Sequence, residues 1–142
     1  MEDRYLFRAK RIDNGEWAEG MPFEIEGKTM MLIRDDENLL RTHYLDENMW
    51  NAEIYCVEVD PSTICRCIGS RDKNSKLIWE NDIVKYRVYQ RTERLYKVIY
   101  DYEEGSWSLG CNSEPLYSIG GANSEKCEVV GNAFDNPELL EV

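Results

Sequence analysis

Apolar and polar residues alternate over short runs along most of the chain, and turn-forming residues separate these runs. Alternation with a period of two is typical of strands with one buried face, so the pattern predicts a β-rich fold. The runs YLFRAKRI and EWAEG flank Asn14-Gly15, which predicts a strand pair because this dipeptide readily adopts the left-handed backbone of tight turns. The segment PFEIEGKTMMLIR repeats the arrangement, with Gly27 before a second apolar run.

The runs DIVKYRVY and RLYKVIYD give the clearest local prediction, a hairpin whose loop lies around Arg91–Thr92. In this register an inner face pairs Val88 with Tyr96, Tyr86 with Val98, and Val84 with Tyr100. We expect the inner tyrosines to pack in a core rather than to stack on bases. The opposite face carries Lys85, Arg87 and Lys97 beside Ile83, Leu95 and Ile99.

The segment DDENLLRTHYLDENMWNAE is the least β-like part of the chain. Asp35 or Asp36 is a candidate cap for a short helix, but Thr42, His43 and Tyr44 weaken that interpretation. The segment is therefore predicted to be a loop with at most one short helix.

The remaining chain continues the pattern of strands and turns. The runs IYCVEVD and STICRCIG predict two short strands, and Asp72 to Ser75 and Glu80 to Asp82 predict polar turns. The closing run CEVVGNAFDNPELLEV predicts a strand followed by a short tail, in which Pro137 starts a helical turn.

Length and composition predict one compact unit in two parts. The chain has 142 residues, of which 42% are hydrophobic, so it is long enough to bury a core and too apolar to be disordered. We expect a smaller β-rich (α+β) part over residues 1–60 and a second part over 61–142. The first ten residues contain no apolar run and no run approaches the roughly 20 residues of a membrane span, which predicts a cytoplasmic protein.

Charge is distributed unevenly along the chain. The net charge is −11, yet residues 71–97 hold eight cations and four anions, whereas residues 98–142 hold one cation and nine anions. An acidic chain is poorly suited to coating nucleic acid because phosphate groups repel it. The basic band is best interpreted as a solvated sheet face, and contact with phosphate is the alternative.

The cysteine pattern predicts buried thiols rather than a metal site or a nucleophile. The five cysteines show no C-x₂-C pair and His43 is the single histidine, although Cys65 and Cys67 would face one side of a strand. A lone histidine in a polar segment is more often a surface residue than half of a Cys–His pair. We therefore expect no metal, no cofactor and no enzymatic activity.

The stretch IGSRDKNSKLIWENDIVKY, residues 68–86, carries a family resemblance. It resembles the signature of the YopX family of phage and prophage proteins, a Thr-Gly segment followed by Asp-Lys-Asn-Gly-Lys, an aromatic residue and Glu-Gly-Asp-Ile-Val. The positions that match are Gly69, Asp72, Lys73, Asn74, Lys76, Trp79, Glu80, Asp82, Ile83 and Val84. YLFRAK with GEWAEG, and CEVVGNAFDNPELL, resemble the family's opening and closing segments, so the resemblance spans nearly the whole chain.

The resemblance implies a fold and an origin but no established activity. It implies a mainly β protein with an SH3-like barrel in the C-terminal half, encoded by a phage or prophage and present in the cytoplasm of a bacterial host. Ser75 and Asn81 stand where the family usually has glycine. Asn81 tolerates a left-handed backbone, whereas Ser75 is less comfortable there, so we expect the Ser75 turn to differ in type.

Three functional hypotheses follow. The first is a non-enzymatic interaction protein that binds a host or phage protein or assembles with itself. The second is a nucleic-acid binder that uses the basic 85–97 hairpin, or an acidic mimic of DNA. The third, ranked last, is an enzyme that uses His43 or clustered carboxylates. The residues predicted to contact a partner are Lys85, Arg87, Arg91, Arg94, Lys97, Trp79 and Trp107.

Overall fold

A computed structural model describes residues 3–33, 40–46, 49–54 and 56–141, with residues 40–46, 49–54 and 121–122 described by their backbone. The described residues form thirteen strands and four short 3-10 helices, so the prediction of a mainly β protein is confirmed. They divide into two compact units, Leu6–Cys65 and Met1–Tyr5 with Arg66–Val142. The observed boundary lies five residues after the predicted one. In the described residues no helix has the length and apolar character needed to span a membrane.

The unit formed by Leu6–Cys65 is an antiparallel sheet with a separate hairpin. The strands are β1 Phe7–Lys10, β2 Trp17–Ile25, β3 Lys28–Ile33, β4 Leu40–Asp46, β5 Met49–Ile54 and β6 Cys56–Glu58, followed by a 3-10 helix at Pro61–Thr63. The sheet order is β6-β3-β2-β1, and β4 pairs with β5. The predicted turn at Asn14-Gly15 is confirmed, because Gly15 has φ +70° and β1 pairs with β2 in the register Ala9 to Ala18.

The core of this unit lies on one face of its sheet. Met31 of β3 is fully buried, and it packs with small and β-branched residues from three other segments. The buried members are Ala9, Ala18, Met31, Val57 and Val59, with Phe7, Ile33 and Ile64 packed against them.

The prediction of a loop with at most one short helix between β3 and β6 is wrong. Strands β4 and β5 pair there in the register Thr42 to Ala52 and Tyr44 to Trp50. Thr42 and Tyr44 favour strands as β-branched and aromatic residues, and this preference outweighs the helix-capping signal that precedes them. Asp35 and Asp36, the candidate caps, lie outside the described residues.

The unit that contains Arg66–Val142 is built on a five-stranded antiparallel sheet. Its strands are β7 Cys65–Arg71, β8 Leu77–Trp79, β9 Asp82–Tyr86, β10 Arg94–Asp101, β11 Ser106–Cys111, β12 Glu114–Ser118 and β13 Glu128–Asn132, and its 3-10 helices are Asp3–Tyr5, Gly121–Lys126 and Pro137–Leu140. The five-stranded order is β12-β11-β10-β9-β13, and β7 pairs with β8. Strands β12 and β13 are the two edges, so the described strands do not close into a barrel, and the SH3-like barrel stays a prediction.

The β9–β10 hairpin is confirmed, but its predicted register is wrong. Val84 pairs with Tyr96 and not with Tyr100, because β9 ends at Tyr86 and the loop occupies residues 87–93, two positions earlier in the chain than expected. The register differs by four positions. Because side chains alternate with a period of two, an even shift keeps each residue on its predicted face.

The inner face of the five-stranded sheet is the core of this unit, as predicted. Tyr86 and Tyr96 are buried there together with the β-branched residues of β9 and β10. The buried members are Ile78, Val84, Tyr86, Tyr96, Val98, Leu109, Ile119 and Cys127. The opposite face of the sheet is not fully exposed to solvent, because Ile83 on that face is also completely buried.

Asp72 joins the turn after β7 to strand β13. Its side chain is 4% exposed, and its Oδ1 accepts hydrogen bonds from the backbone N–H groups of Asn74 (2.8 Å) and Lys76 (2.9 Å). Its Oδ2 accepts a hydrogen bond from the backbone N–H of Val129, also at 2.9 Å. Burial raises the pKa of Asp72, but these three hydrogen bonds outweigh it and lower the pKa below its usual value. The aspartate of the DKNSK stretch therefore has a structural role.

The two departures from glycine in the family signature both occupy left-handed backbone. Ser75 has φ +62° and Asn81 has φ +70°. The expectation for Asn81 is confirmed. Ser75 also adopts this conformation, and its backbone N–H donates to the carbonyl oxygen of Asp72 (3.0 Å). That this turn differs in type from the family's turn stays a prediction.

Candidate partner-binding groove

Three tyrosines from three strands pack together at one end of the inner face. The ring of Tyr96 (β10) lies 6.4 Å from that of Tyr86 (β9) and 5.7 Å from that of Tyr117 (β12), both in edge-to-face geometry. The rings of Tyr86 and Tyr117 lie 6.5 Å apart. Such contacts fix the rings relative to one another, so they form a rigid aromatic floor.

A groove opens over this floor and runs along the 87–93 loop. It consists of two adjoining depressions of about 420 and 510 Å³, which share Val88 and Tyr117. We call it the tyrosine groove. Its lining residues are Tyr86, Arg87, Val88, Tyr89, Gln90, Arg91, Thr92, Arg94, Tyr96, Leu116, Tyr117, Ser118, Asn123 and Lys126.

The tyrosine groove is positively charged although the chain is acidic. The described lining residues include four cations, Arg87, Arg91, Arg94 and Lys126, and no carboxylate. All four cations are exposed, and none forms an ion pair with another described residue. Lys126 is the single cation among residues 98–142, and the fold brings it to this surface. The groove therefore concentrates positive charge in a chain of net charge −11.

The hydroxyls of Tyr86 and Tyr96 in the floor stay neutral at physiological pH. Burial raises the pKa of both Tyr86 and Tyr96 above 10, and the nearby guanidinium groups of Arg94 and Arg91 offset the effect on Tyr96 only in part. Neutral hydroxyls can donate and accept hydrogen bonds. The floor thus offers polar contacts without reducing the positive charge of the rim.

Tyr89 stands at the outer side of the groove in an unusual conformation. Its φ is +50°, which is uncommon for a bulky residue, and its side chain is 94% exposed. A left-handed non-glycine residue costs about 1–2 kcal/mol. Strain of this kind is concentrated at binding and switch segments, so this loop is a candidate contact region.

The structure separates the five basic residues predicted to contact a partner into two groups. Arg87, Arg91 and Arg94 line the groove, whereas Lys85 and Lys97 are half-buried on the other face of the sheet. Lys85 lies opposite Glu128 of β13 in the register of that strand pair. The hairpin therefore does not present one continuous row of five cations.

The two predicted tryptophan contacts have different outcomes. Trp79 is only 3% exposed, so it is not available to a partner, and its placement in the contact set is wrong. It lies in β8 beside the tight turn where the carboxylate of Asp82 accepts a hydrogen bond from its backbone N–H at 2.8 Å. Trp107 is half-buried, and its role as a partner contact stays a prediction.

Trp107 is covered by an arginine clamp. The guanidinium of Arg66 lies 4.7 Å from the ring centroid of Trp107 and 4.8 Å from that of Tyr100. Glu80 holds this guanidinium with a 2.9 Å ion pair, and that hydrogen bond is the main cause of a raised pKa for Arg66. The clamp fixes the aromatic residues at the far end of the inner face.

The cysteines of the described chain do not form a recognisable reactive centre. Cys65, Cys67 and Cys127 are buried, as predicted, whereas Cys56 is half-buried and Cys111 is exposed. Burial raises the pKa of the Cys127 thiol to about 11, so this thiol stays protonated at neutral pH. Among the described residues there is no group of three or more potential metal ligands. The side chain of His43 lies outside the described part.

The arginines of the groove were predicted from sequence, whereas several other lining residues, among them Tyr89, Tyr117 and Lys126, were not. Tyr117 and Lys126 come from β12 and the following 3-10 helix, far along the chain from the 87–93 loop. Only tertiary structure brings them there. Tyr89 carried a usable signal, because an aromatic residue within the polar run YQRTER interrupts the alternation of the strand.

Comparison with known proteins supports the fold and assigns the family. The crystal structure of protein EF1440 from Enterococcus faecalis has a TM-score of 0.60 with this chain at 20% sequence identity, and the alignment covers 94% of this chain and 96% of that chain. At this identity the likeness shows the fold alone. No match was found among the curated proteins. The family model described as YopX protein matches residues 6–141. The chain therefore belongs to the YopX family.

Proposed function

We propose that this YopX protein is a non-enzymatic interaction protein that binds a partner protein through the tyrosine groove. The observation that carries the proposal is the set of four cations without ion pairs among the described residues, placed around a floor of three interlocked tyrosines. Arginine and tyrosine are enriched at protein interfaces because they combine a large contact area with hydrogen bonding. A rigid floor also reduces the entropy lost on binding.

The proposed cellular location and origin of the protein rest on the family resemblance. We place the protein in the cytoplasm of a bacterial host as the product of a phage or prophage, with a host or phage protein as partner. An SH3-like arrangement of residues 61–142 remains part of the proposal. Self-assembly through the same groove is an alternative outcome of the test below.

The test is affinity capture from the host during prophage induction, with matched variants. The wild type is compared with Arg91→Glu/Arg94→Glu and with a control, Lys28→Glu, which reverses an exposed charge in the other unit. We expect a protein that is retained by the wild type and the control and lost with the double variant. Equal retention by all three proteins would refute a role for the groove.

A specific observation favours nucleic acid as the second candidate. Tyr89 is 94% exposed in a loop that also carries Arg87 and Arg91, and base–aromatic stacking with nearby cations is the usual mode of single-strand binding. A single-stranded oligonucleotide should then bind at about 50 mM salt and dissociate steeply as salt rises. Absence of binding at the low salt concentration would remove this candidate.

A further inference from the structure

We infer that the tyrosine groove recognises an acidic, extended protein segment with carboxylates on both sides of an apolar side chain. This inference rests on the proposed function and names the chemistry of the partner. It follows from the arrangement of charge along the groove.

The two depressions of the groove each carry one pair of cations. Arg91 and Arg94 line the first depression, beside the hydroxyl end of Tyr96. Arg87 and Lys126 line the second depression. The four cations are thus divided between the two depressions of one groove. A ligand that fills both depressions is matched best by a negative group in each of them.

The middle of the groove is apolar and aromatic. Val88 and Tyr117 belong to both depressions, and both are half-buried against the core of the unit. Leu116 is 49% exposed beside Tyr117, so it adds apolar surface to this part. An apolar side chain of a ligand would be desolvated here, where the two depressions meet. The matching ligand pattern is therefore acidic, apolar, acidic.

The cations of the groove should bind carboxylates more strongly than they bind uncharged hydrogen-bond acceptors. The planar guanidinium presents paired donors that match a carboxylate bidentately, and three of the four cations are arginines. Because these cations make no ion pair with a described residue, a ligand carboxylate does not have to displace a carboxylate of the described part of the chain. Binding then adds charge-assisted hydrogen bonds to cations that have no ion-pair partner there.

Overall charge favours a short acidic segment over a nucleic acid. Nucleic acid is a dense, long polyanion, so it would experience the repulsion of a chain with net charge −11 well beyond the groove. A segment with a few carboxylates meets the four local cations and presents little charge elsewhere. Screening limits the repulsion on such a segment to about 10 Å at 0.1 M salt.

Fluorescence anisotropy with defined peptides tests the inference. The probe is a labelled peptide with two glutamates on each side of a central leucine, and the first control is the same peptide with glutamines in place of the glutamates. The protein variants are Arg91→Gln and Arg94→Gln, with Lys28→Gln as the matched control for loss of one exposed positive charge. Circular dichroism melts confirm that every variant is folded.

We expect the acidic peptide to bind and the amide peptide to show at least tenfold weaker binding. Arg91→Gln and Arg94→Gln should each weaken binding about five- to tenfold, as expected for loss of a charge-assisted contact. Lys28→Gln should change binding less than twofold. Raising salt from about 50 to 300 mM should weaken binding of the acidic peptide and leave binding of the amide peptide unchanged.

Several results would overturn the inference and are distinct from failure of the proposed function. Equal binding of both peptides, or binding that is insensitive to Arg91 and Arg94, would show that carboxylates are not recognised. If the captured partner depends on these arginines while the acidic peptide does not bind, the function stands and this inference is wrong. Stronger binding of an oligonucleotide than of the peptide, lost with the same arginines, would identify a nucleic-acid site instead.

Discussion

Replacing Asp72 with asparagine should destabilise the protein far more than the same change at another turn aspartate. Asp72 accepts hydrogen bonds on both carboxylate oxygens, from the turn on Oδ1 and from Val129 on Oδ2. Asparagine has one oxygen and one NH₂ group, so its side chain can accept hydrogen bonds either from the turn or from Val129, but not from both. If its oxygen faces the turn, its NH₂ group meets the N–H of Val129, donor against donor.

The magnitude follows from the bonds that are lost. A part-buried N–H without an acceptor costs about 1–3 kcal/mol, and loss of charge on the two remaining bonds adds about 0.5 kcal/mol each. We therefore expect Asp72→Asn to lower the free energy of unfolding by about 2–4 kcal/mol. The control is Asp101→Asn. A single oxygen of Asp101 accepts both of its bonds, from the N–H groups of Glu103 and Glu104, so asparagine can retain them and the expected cost is below about 1 kcal/mol.

The effect should depend on pH with a definite sign. The pKa of Asp72 is lower in the folded state than in the unfolded chain, so its charge stabilises the fold above the unfolded pKa of about 3.9. This contribution is lost as pH falls through the folded pKa. The difference in stability between wild type and Asp72→Asn should therefore be largest near neutral pH and should shrink below about pH 4.

Urea unfolding followed by far-UV circular dichroism, at neutral pH and at about pH 3, measures all three proteins. The reasoning is refuted if Asp72→Asn and Asp101→Asn differ by less than about 0.5 kcal/mol at neutral pH, which is near the limit of such comparisons. If the difference in unfolding free energy between wild type and Asp72→Asn is the same at about pH 3 as at neutral pH, only the electrostatic contribution of Asp72 is refuted.

Three further predictions concern stability and reactivity. Ser75→Gly should raise the free energy of unfolding by about 0.5 kcal/mol, because relief of the left-handed strain exceeds the added entropy of the unfolded chain; a loss of stability in urea melts would contradict this. A double-mutant cycle of Arg66→Gln and Glu80→Gln should give a coupling of about 0.5–1 kcal/mol for the partly exposed ion pair, and zero coupling would show that the clamp is not stabilising. Cys111 should be the fast-reacting thiol of the described cysteines toward a disulfide reagent such as DTNB, whereas Cys127 should react only on unfolding because it is buried with a pKa of about 11. Retention of the fast phase in Cys111→Ser would contradict the assignment.

The features that sequence predicted well are those determined locally. Asn14-Gly15 and Asn81 adopt the expected left-handed turns because few residues tolerate that backbone. The inner face of the β9–β10 hairpin was also predictable, because Val84 and Tyr96 stay on it under any even shift of register.

The features that sequence did not predict depend on distant contacts. Strand β9 ends at Tyr86, although the alternation of apolar and polar residues continues to Val88. Trp79 was expected near the surface, yet it is buried. The groove also depends on distant contacts, because Tyr117 and Lys126 reach the 87–93 loop only through the pairing of β12 with β11 and the helix that follows.

An NMR titration with the acidic peptide tests the central claim most directly, because it locates binding on the surface. Backbone amide signals of the ¹⁵N-labelled protein are followed as the peptide is added. We predict that shift changes concentrate on residues 86–92, 94, 96, 116–118, 123 and 126, which line the tyrosine groove. Saturable changes centred elsewhere, for example on the exposed face of β2 that carries Met21, Phe23 and Ile25, would contradict it.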